Sequence, residues 1–279
     1  MLTEDLASTI QLNVTAALNE DIRNGDLTAQ LIPKNRISTA QIISRQQAVL
    51  CGSPWFEACF LRLDPNCTFN WAAKEGEQVK PNQKLCEVTG NTRALLTAER
   101  AALNFLQTLS CTATLARRYV DEVDGINVKI MDTRKTLPGL RMAQKYAVKI
   151  SGGYNQRSGL FDGVLIKENH ISAAGGISQV MRLAHRIVPS GATIQIEVET
   201  LAQLDEALEA DAKLILLDNF SMMNLRNAVT RTAKRAELEA SGNITLEKVR
   251  LVAETGVDRI SIGSLTKDVQ AIDLSMRFE

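Results

Sequence analysis

The larger part of this 279-residue chain is expected to be an α/β fold, and its first part a smaller α+β domain. Two observations carry this. After Val123, strand-like runs near 127–132, 163–167, 193–199, 213–218, 236–240 and 259–263 alternate with helical runs, including 201–210, 222–234 and 246–255. Six βα units with short links predict a parallel sheet closed or nearly closed into a barrel, short of the eight strands of an ideal one. Before Val123 the pattern is one of hairpins and single helices, as in a sandwich-like domain.

In order, residues 4–21 have the spacing of an amphipathic helix, followed by the turn Asn24-Gly25-Asp26 and an irregular passage through Pro33. A strand is expected over 38–50, a helix over 54–63 and a strand over 67–72. Between Glu75 and Gly90, Val79, Leu85 and Val88 fall between turns, as in the small domains that carry biotin or lipoate. No lysine stands at a hairpin tip, so a carrier role is not expected. The run 96–123 is helical with a break expected near Ser110-Cys111-Thr112. Arg100, Asn104 and Gln107 form a polar stripe on it, which pattern alone reads as a solvent face. The tail, 269–278, is expected to return to the first domain as a strand. The expected domains are thus 1–110, joined by 269–279, and 111–268.

Composition narrows the function. A hydrophobic content of 45% suits a buried core, and no apolar run reaches the 18 residues of a membrane span. The first residues lack the charged start and apolar core of a signal peptide, so the cytoplasm is expected. Five cysteines without a C-x-x-C pair argue against a disulfide framework or a zinc site and for reduced packing residues. Zero net charge and few aromatics leave no footprint for nucleic acid. Two histidines leave few candidates for histidine-based chemistry.

Against that neutral background, residues 131–170 hold seven cations and three anions, a net +4. Lys145 and Lys149, at i and i+4 on the helix expected over 141–150, suit a solvated face. Arg134, Lys135 and Lys167 instead follow strand-like runs and lie beside Pro-Gly or Gly-Gly turns, where ligands meet a backbone. In barrels the C-terminal ends of strands form the site. Here those ends carry Arg134 and Lys135, then Lys167, Glu199, Asp218, Ser241-Gly242-Asn243 and Gly263-Ser264. Cations come first, carboxylates next, and small residues with free N–H groups last. The small residues suit a phosphate monoester near helix starts, although either loop alone reads as a simple turn.

The string from Thr133 to Arg141 (TRKTLPGLR), with Gln144-Lys145-Tyr146-Ala147, Ser151-Gly152-Gly153 and Ile166-Lys167-Glu168-Asn169-His170, resembles the signature of the quinolinate phosphoribosyltransferases. Further matches lie at Glu20-Asp21-Ile22, Gly25 to Thr28, Leu31-Ile32-Pro33, Ala98 to Asn104, Glu197-Val198-Glu199 and Leu216 to Phe220. They run in order along nearly the whole chain. The resemblance implies an open, seven-stranded α/β barrel and transfer of phosphoribosyl from 5-phosphoribosyl 1-pyrophosphate to quinolinate. Decarboxylation then gives nicotinate mononucleotide, pyrophosphate and CO2 in NAD biosynthesis. It implies a homodimer or dimer-based oligomer in which Arg100 enters the neighbouring subunit's site.

On this resemblance Arg134, Lys135, Arg157, Lys167 and the neighbour's Arg100 hold the two carboxylates of quinolinate, with forked guanidinium groups suited to planar anions. Lys135, Lys167, Glu199 and Asp218 are the expected catalytic set. Glu199 and Asp218 meet the donor's ribose and its Mg²⁺ as hard oxygen ligands. Ser241, Gly242, Asn243, Gly263 and Ser264 take the monophosphate. Two departures stand out. Gln156 replaces the family's histidine before Arg157 and is expected to donate one hydrogen bond to a carboxylate, and Cys111 replaces a glycine after Ser110. The first leaves room for an altered substrate, as in the homologue encoded with molybdate transporters. A different class, a Schiff-base barrel using Lys167, needs a lysine in an apolar or cationic setting.

Overall fold

The computed structural model describes residues 4–189 and 191–278; residues 1–3, Ser190 and the last residue of the expected tail, Glu279, lie outside it. The chain forms two compact units. The first comprises Met1–Arg117, Thr136–Gly152 and Leu265–Glu279, and the second Arg118–Lys135 and Gly153–Ser264. The segment 136–152 therefore groups with the N-terminal part rather than with the barrel sequence that surrounds it.

In chain order the elements are α1 (Glu4–Ile22), β1 (Ile37–Ser44), β2 (Ala48–Val49), α2 (Ser53–Leu63), β3 (Thr68–Trp71), β4 (Gln78–Val79), β5 (Lys84–Asn91), α3 (Thr92–Glu122), β6 (Lys129–Met131) and α4 (Arg141–Ile150). They continue with β7 (Gly163–Ile166), α5 (Glu168–Ala174), α6 (Ile177–Ile187), β8 (Thr193–Val198), α7 (Leu201–Glu209), β9 (Leu214–Asp218) and α8 (Met222–Thr232). The last are β10 (Glu237–Ser241), α9 (Leu246–Ala253), β11 (Arg259–Ser261), α10 (Ser264–Lys267) and β12 (Leu274–Phe278).

In the first unit an antiparallel sheet runs in the order β12-β1-β5-β3, and β2 pairs with β4. The tail returns as a strand, Ala40 to Ser44 pairing with Phe278 to Leu274. Trp55, Phe56, Cys59 and Phe60 of α2 are fully buried against the sheet residues Ile42, Leu85 and Val88. The expected break in α3 does not occur. Ser110 Oγ bonds both the N–H and the carbonyl of Cys51, and Thr114 Oγ donates to Ser110 O at 2.6 Å, so these side chains are satisfied without interrupting the ladder. Lys145 also departs from expectation: it is 1% exposed, because α4 buries the face carrying Ala143, Gln144, Ala147 and Val148, while Lys149 remains in solvent. All five cysteines are free and buried, and desolvation pushes the thiols of Cys59, Cys67 and Cys86 up to about 12, so they act as packing groups.

The second unit is a parallel sheet in the order β6-β11-β10-β9-β8-β7. A seventh, very short segment lies beside β6: Tyr154 bridges Met131 in parallel, its N–H donating to Ile130 O (2.8 Å) and its carbonyl accepting from Asp132 N–H (3.0 Å). Pleating sends Ile196, Val198, Ile215, Leu217, Leu238, Ala240 and Ile260 to one face, where they are buried. The register sets Leu165 beside Gln195, Glu197 beside Leu216, Leu216 beside Glu239, and Ser241 beside Asp218 on the other face. That inner face mixes polar side chains with Leu165 and Leu216.

Helix α2 begins at Gly52, which has φ +109° and no side chain to cap with; a Cβ there would lie 3.1 Å from Leu109 Cδ1. Glu75 supplies the cap, accepting from Gly52 N–H (2.7 Å), Ser53 N–H (3.2 Å) and the Ser53 hydroxyl. Glu75→Ala should lower unfolding stability by about 1–3 kcal/mol, read as a lower urea midpoint, whereas an unmoved midpoint would exclude the capping role.

Candidate active site

A cavity of about 150 Å³ opens on the inner face of the second unit, lined by Thr133, Arg134, Lys135, Gln156, Arg157, Leu165, Lys167, Glu197, Leu216, Ser241 and Ser261. Its walls come from the ends of both edge strands, β6 through Arg134 and Lys135 and β7 through Lys167, so the sheet curls around it. Four of the expected cations, with Gln156 and Ser241, are gathered here. The loop after β6 is shaped by Thr133, whose hydroxyl accepts from Lys135 N–H at 3.0 Å. Arg157 spans toward β7, donating from Nη1 to Gly163 O at 2.9 Å. Desolvation, followed by the nearby Arg134 charge, lowers the pKa of its guanidinium. Gly263 packs on the stem of Lys135: a Cβ there would sit 3.4 Å from Lys135 Cδ.

The acidic side differs from expectation. Glu197, not Glu199, lines the cavity, and its carboxylate meets Lys167 Nζ at 3.3 Å. Burial raises its pKa, with the Lys167 charge acting in the opposite direction and Asp218 adding to the rise. Glu199 lies one residue past β8 and is exposed, its N–H bonded to Gln203 Oε1 (2.7 Å) within the capping box of α7. Asp218 ends β9, where its Oδ2 accepts from Asn219 Nδ2 at 2.8 Å. Among the described residues no group of three or more His, Cys, Asp or Glu could hold a metal.

The phosphate-type loops divide. Ser241, Gly242 and Asn243 line a second cavity of about 360 Å³ together with Asn219, Ser221 and Lys248. Gly242 has φ +106°, and a Cβ there would fall 2.1 Å from Asn219 Oδ1, so only glycine lets the loops after β9 and β10 approach; Asn219 N–H donates to Ser241 O at 2.9 Å. Ser264 begins the four-residue α10. Arg100 belongs to the first unit, where with Asn104, Glu20, Asp21 and Pro138 it lines a cleft of about 400 Å³; Gln107 is half-buried and its carbonyl accepts from Ile272 N–H.

Sequence reasoning passed over Glu239 and Ser261. Glu239 is fully buried on the inner face of β10, accepting from Ser261 Oγ, Gln156 Nε2 and Gln195 Nε2, the last at 3.0 Å. Its pKa is raised by burial, against these hydrogen bonds. The Gln156 amide nitrogen, expected to face a substrate carboxylate, is thus turned to the wall. The signal was present as a glutamate alternating with Leu238 and Ala240 in a strand-like run, but parity alone does not reveal its partners.

The comparisons agree with this architecture. Family profiles described as the N-terminal and C-terminal domains of quinolinate phosphoribosyl transferase match residues 26–110 and 112–277. A probable nicotinate-nucleotide pyrophosphorylase (carboxylating) of Bacillus subtilis is 40% identical over 92% of this chain and 89% of its own length. A tobacco quinolinate phosphoribosyltransferase (decarboxylating) is 37% identical over 99% of this chain and 83% of its own. The structure of the nicotinate-nucleotide pyrophosphorylase of Francisella tularensis superimposes with a TM-score of 0.94 at 42% identity, covering 98% of this chain and 96% of that one. With these matches spanning both units, the chain belongs to the quinolinate phosphoribosyltransferase family.

Proposed function

We propose that this protein transfers phosphoribosyl from 5-phosphoribosyl 1-pyrophosphate to quinolinate and decarboxylates the adduct, giving nicotinate mononucleotide, pyrophosphate and CO2 for NAD synthesis. The observation that carries it is the convergence of Arg134, Lys135, Arg157 and Lys167 on one cavity, in a chain of this family. Two guanidinium forks and two ammonium groups have the capacity for both carboxylates of a pyridine dicarboxylate.

The chemistry asks for position and charge rather than a protein nucleophile. The pyridine nitrogen lone pair attacks the anomeric carbon while the bond to pyrophosphate breaks, its electrons leaving with the pyrophosphate. The cations hold the ring in line, and Glu197 and Asp218 place negative charge beside the cationic sugar-like transition state. The adduct's ring nitrogen is now positive. The bond to the adjacent carboxylate then breaks with loss of CO2, and the electron pair left on carbon is stabilised by that nitrogen before protonation.

The carboxylates Glu197 and Asp218 suit Mg²⁺ in chemistry but are too few to cage it, which fits an ion that arrives with the donor's phosphates. Bound there, Mg²⁺ would neutralise charge on the leaving pyrophosphate. Glu199, outside the cavity, is the weaker candidate for this role. Ser241, Gly242 and Asn243, with Gly263 and Ser264, supply amides and hydroxyls for the monophosphate. Arg100, on an exposed stripe of the first unit, completes the site of a second copy in a dimer. No helix among the described residues is long and apolar enough to cross a membrane. A Schiff-base role for Lys167 is disfavoured: its ammonium is ion-paired with Glu197, the opposite of the uncompensated apolar setting such a lysine needs.

Purified protein given the donor and Mg²⁺ should release pyrophosphate and CO2 in equal amounts with quinolinate and turn over nicotinate poorly, because nicotinate carries one carboxylate. Equal use of nicotinate, or a product retaining both carboxylates, would sink the assignment.

Within that assay, Lys135→Ala and Arg157→Ala should each weaken quinolinate binding by about 1.5–3 kcal/mol in calorimetry. Glu197→Ala and Asp218→Ala should instead lower turnover with quinolinate affinity largely kept, and Glu199→Ala should change turnover only about twofold. A larger loss in Glu199→Ala than in Glu197→Ala would move the acidic side of the site.

Arg100→Ala and Lys135→Ala should each be nearly inactive alone yet complement after subunit exchange. Half the dimers are then mixed and each has one intact site, so activity should return to about 25% of wild type. No recovery after verified exchange would mean that Arg100 serves its own subunit or solvent.

A further inference from the structure

We propose that Glu239 is a positioning residue for the substrate cavity, acting through Gln156 and Ser261. The inference deepens the reading given above and rests on it. Glu239 does not line the cavity, but two residues that do, Gln156 and Ser261, bond to its Oε1, while Gln195 Nε2 holds Oε2 at 3.0 Å. An ionised carboxylate is acceptor-only, so it orients every donor around it. Gln156 must turn its nitrogen to the wall, which fixes the side chain where it lines the cavity. The backbone of Gln156 is fixed as well, its N–H donating to Oδ1 of the buried Asp132 at 2.8 Å. Two buried carboxylates thus clamp one residue next to Arg157.

A buried carboxyl group held by three side-chain donors is a costly way to fill a barrel interior if packing were its only purpose. Its immediate surroundings are the three donors, Leu216 beside it in register, and Arg259, whose charge also favours the ionised form and which is itself paired with Glu237. With every donor directed at the one carboxylate, losing its reach frees Gln156 and Ser261 together. A role confined to stability and a role in positioning therefore predict different binding behaviour in protein that remains folded.

The test is a double-mutant cycle on the full chain, with quinolinate affinity read by calorimetry and folding by thermal melting. Glu239→Asp keeps the charge but withdraws it by about 1.5 Å. It should weaken quinolinate binding about tenfold, raising KM more than it lowers kcat, and Gln156→Ala should do the same. The double variant should lose about tenfold rather than the hundredfold of independent effects. Gln195→Met removes a donor that does not line the cavity; it should weaken binding severalfold and keeps the idea open to refutation if Glu239→Asp fails to fold. Affinity within twofold of wild type in folded Glu239→Asp or Gln195→Met, or a hundredfold loss in the double variant, would overturn the proposal. If wild type itself does not bind quinolinate, the substrate assignment falls. The same cycle is then read with inorganic pyrophosphate, which the four cations attract whatever the acceptor, and the same outcomes decide the role of Glu239.

Discussion

Four cations around one small cavity repel one another, and the second unit is organised to hold them there. At an effective dielectric of about 20, like charges a few ångströms apart cost on the order of a few kcal/mol per pair. Compensation comes from fixed groups. Glu197 pairs with Lys167, the carbonyl of Gly163 accepts from Arg157, and Asp132 and Glu239 hold the neighbouring Gln156 from backbone and side chain. A cavity built this way is short of negative charge until a dianion enters, which is what makes a dicarboxylate its natural occupant.

Pleating makes that arrangement possible. Residues of one parity along β8, β9 and β10 meet apolar partners and are buried, while residues of the other parity meet one another across the register. The inner face can therefore carry Gln195, Glu197, Glu239 and Ser241 without placing a charge in the apolar layer. Glycines serve the same end where backbones must approach, as Gly242 does against Asn219.

The first unit follows a different logic. Its core is largely apolar, with Trp55, Phe56 and Phe60 fully buried, and polar groups such as Glu75 and Ser110 cap a helix or satisfy backbone. Arg100 stands exposed on the same helix whose opposite side is buried through Ala98, Ala102 and Leu106.

Much of this was legible in the amino-acid order. Periodicity separates the hairpin-rich part from the βα part, and the cation excess at 131–170 marks Arg134, Lys135 and Lys167 because strand ends and turns are local features. Short motifs then carry the family and, with it, Arg157. What remained was decided by tertiary structure. Glu197 and Glu199 share one parity, so only the end of β8 and the capping box of α7 settle which of them reaches the cavity. Lys145 and Lys149 are one helical turn apart, and the packing of α4 decides that one is buried. Glu239, Gln195, Ser261 and Gln156 come from four separate stretches of chain, and register between parallel strands, which no local pattern encodes, brings them to a single carboxylate.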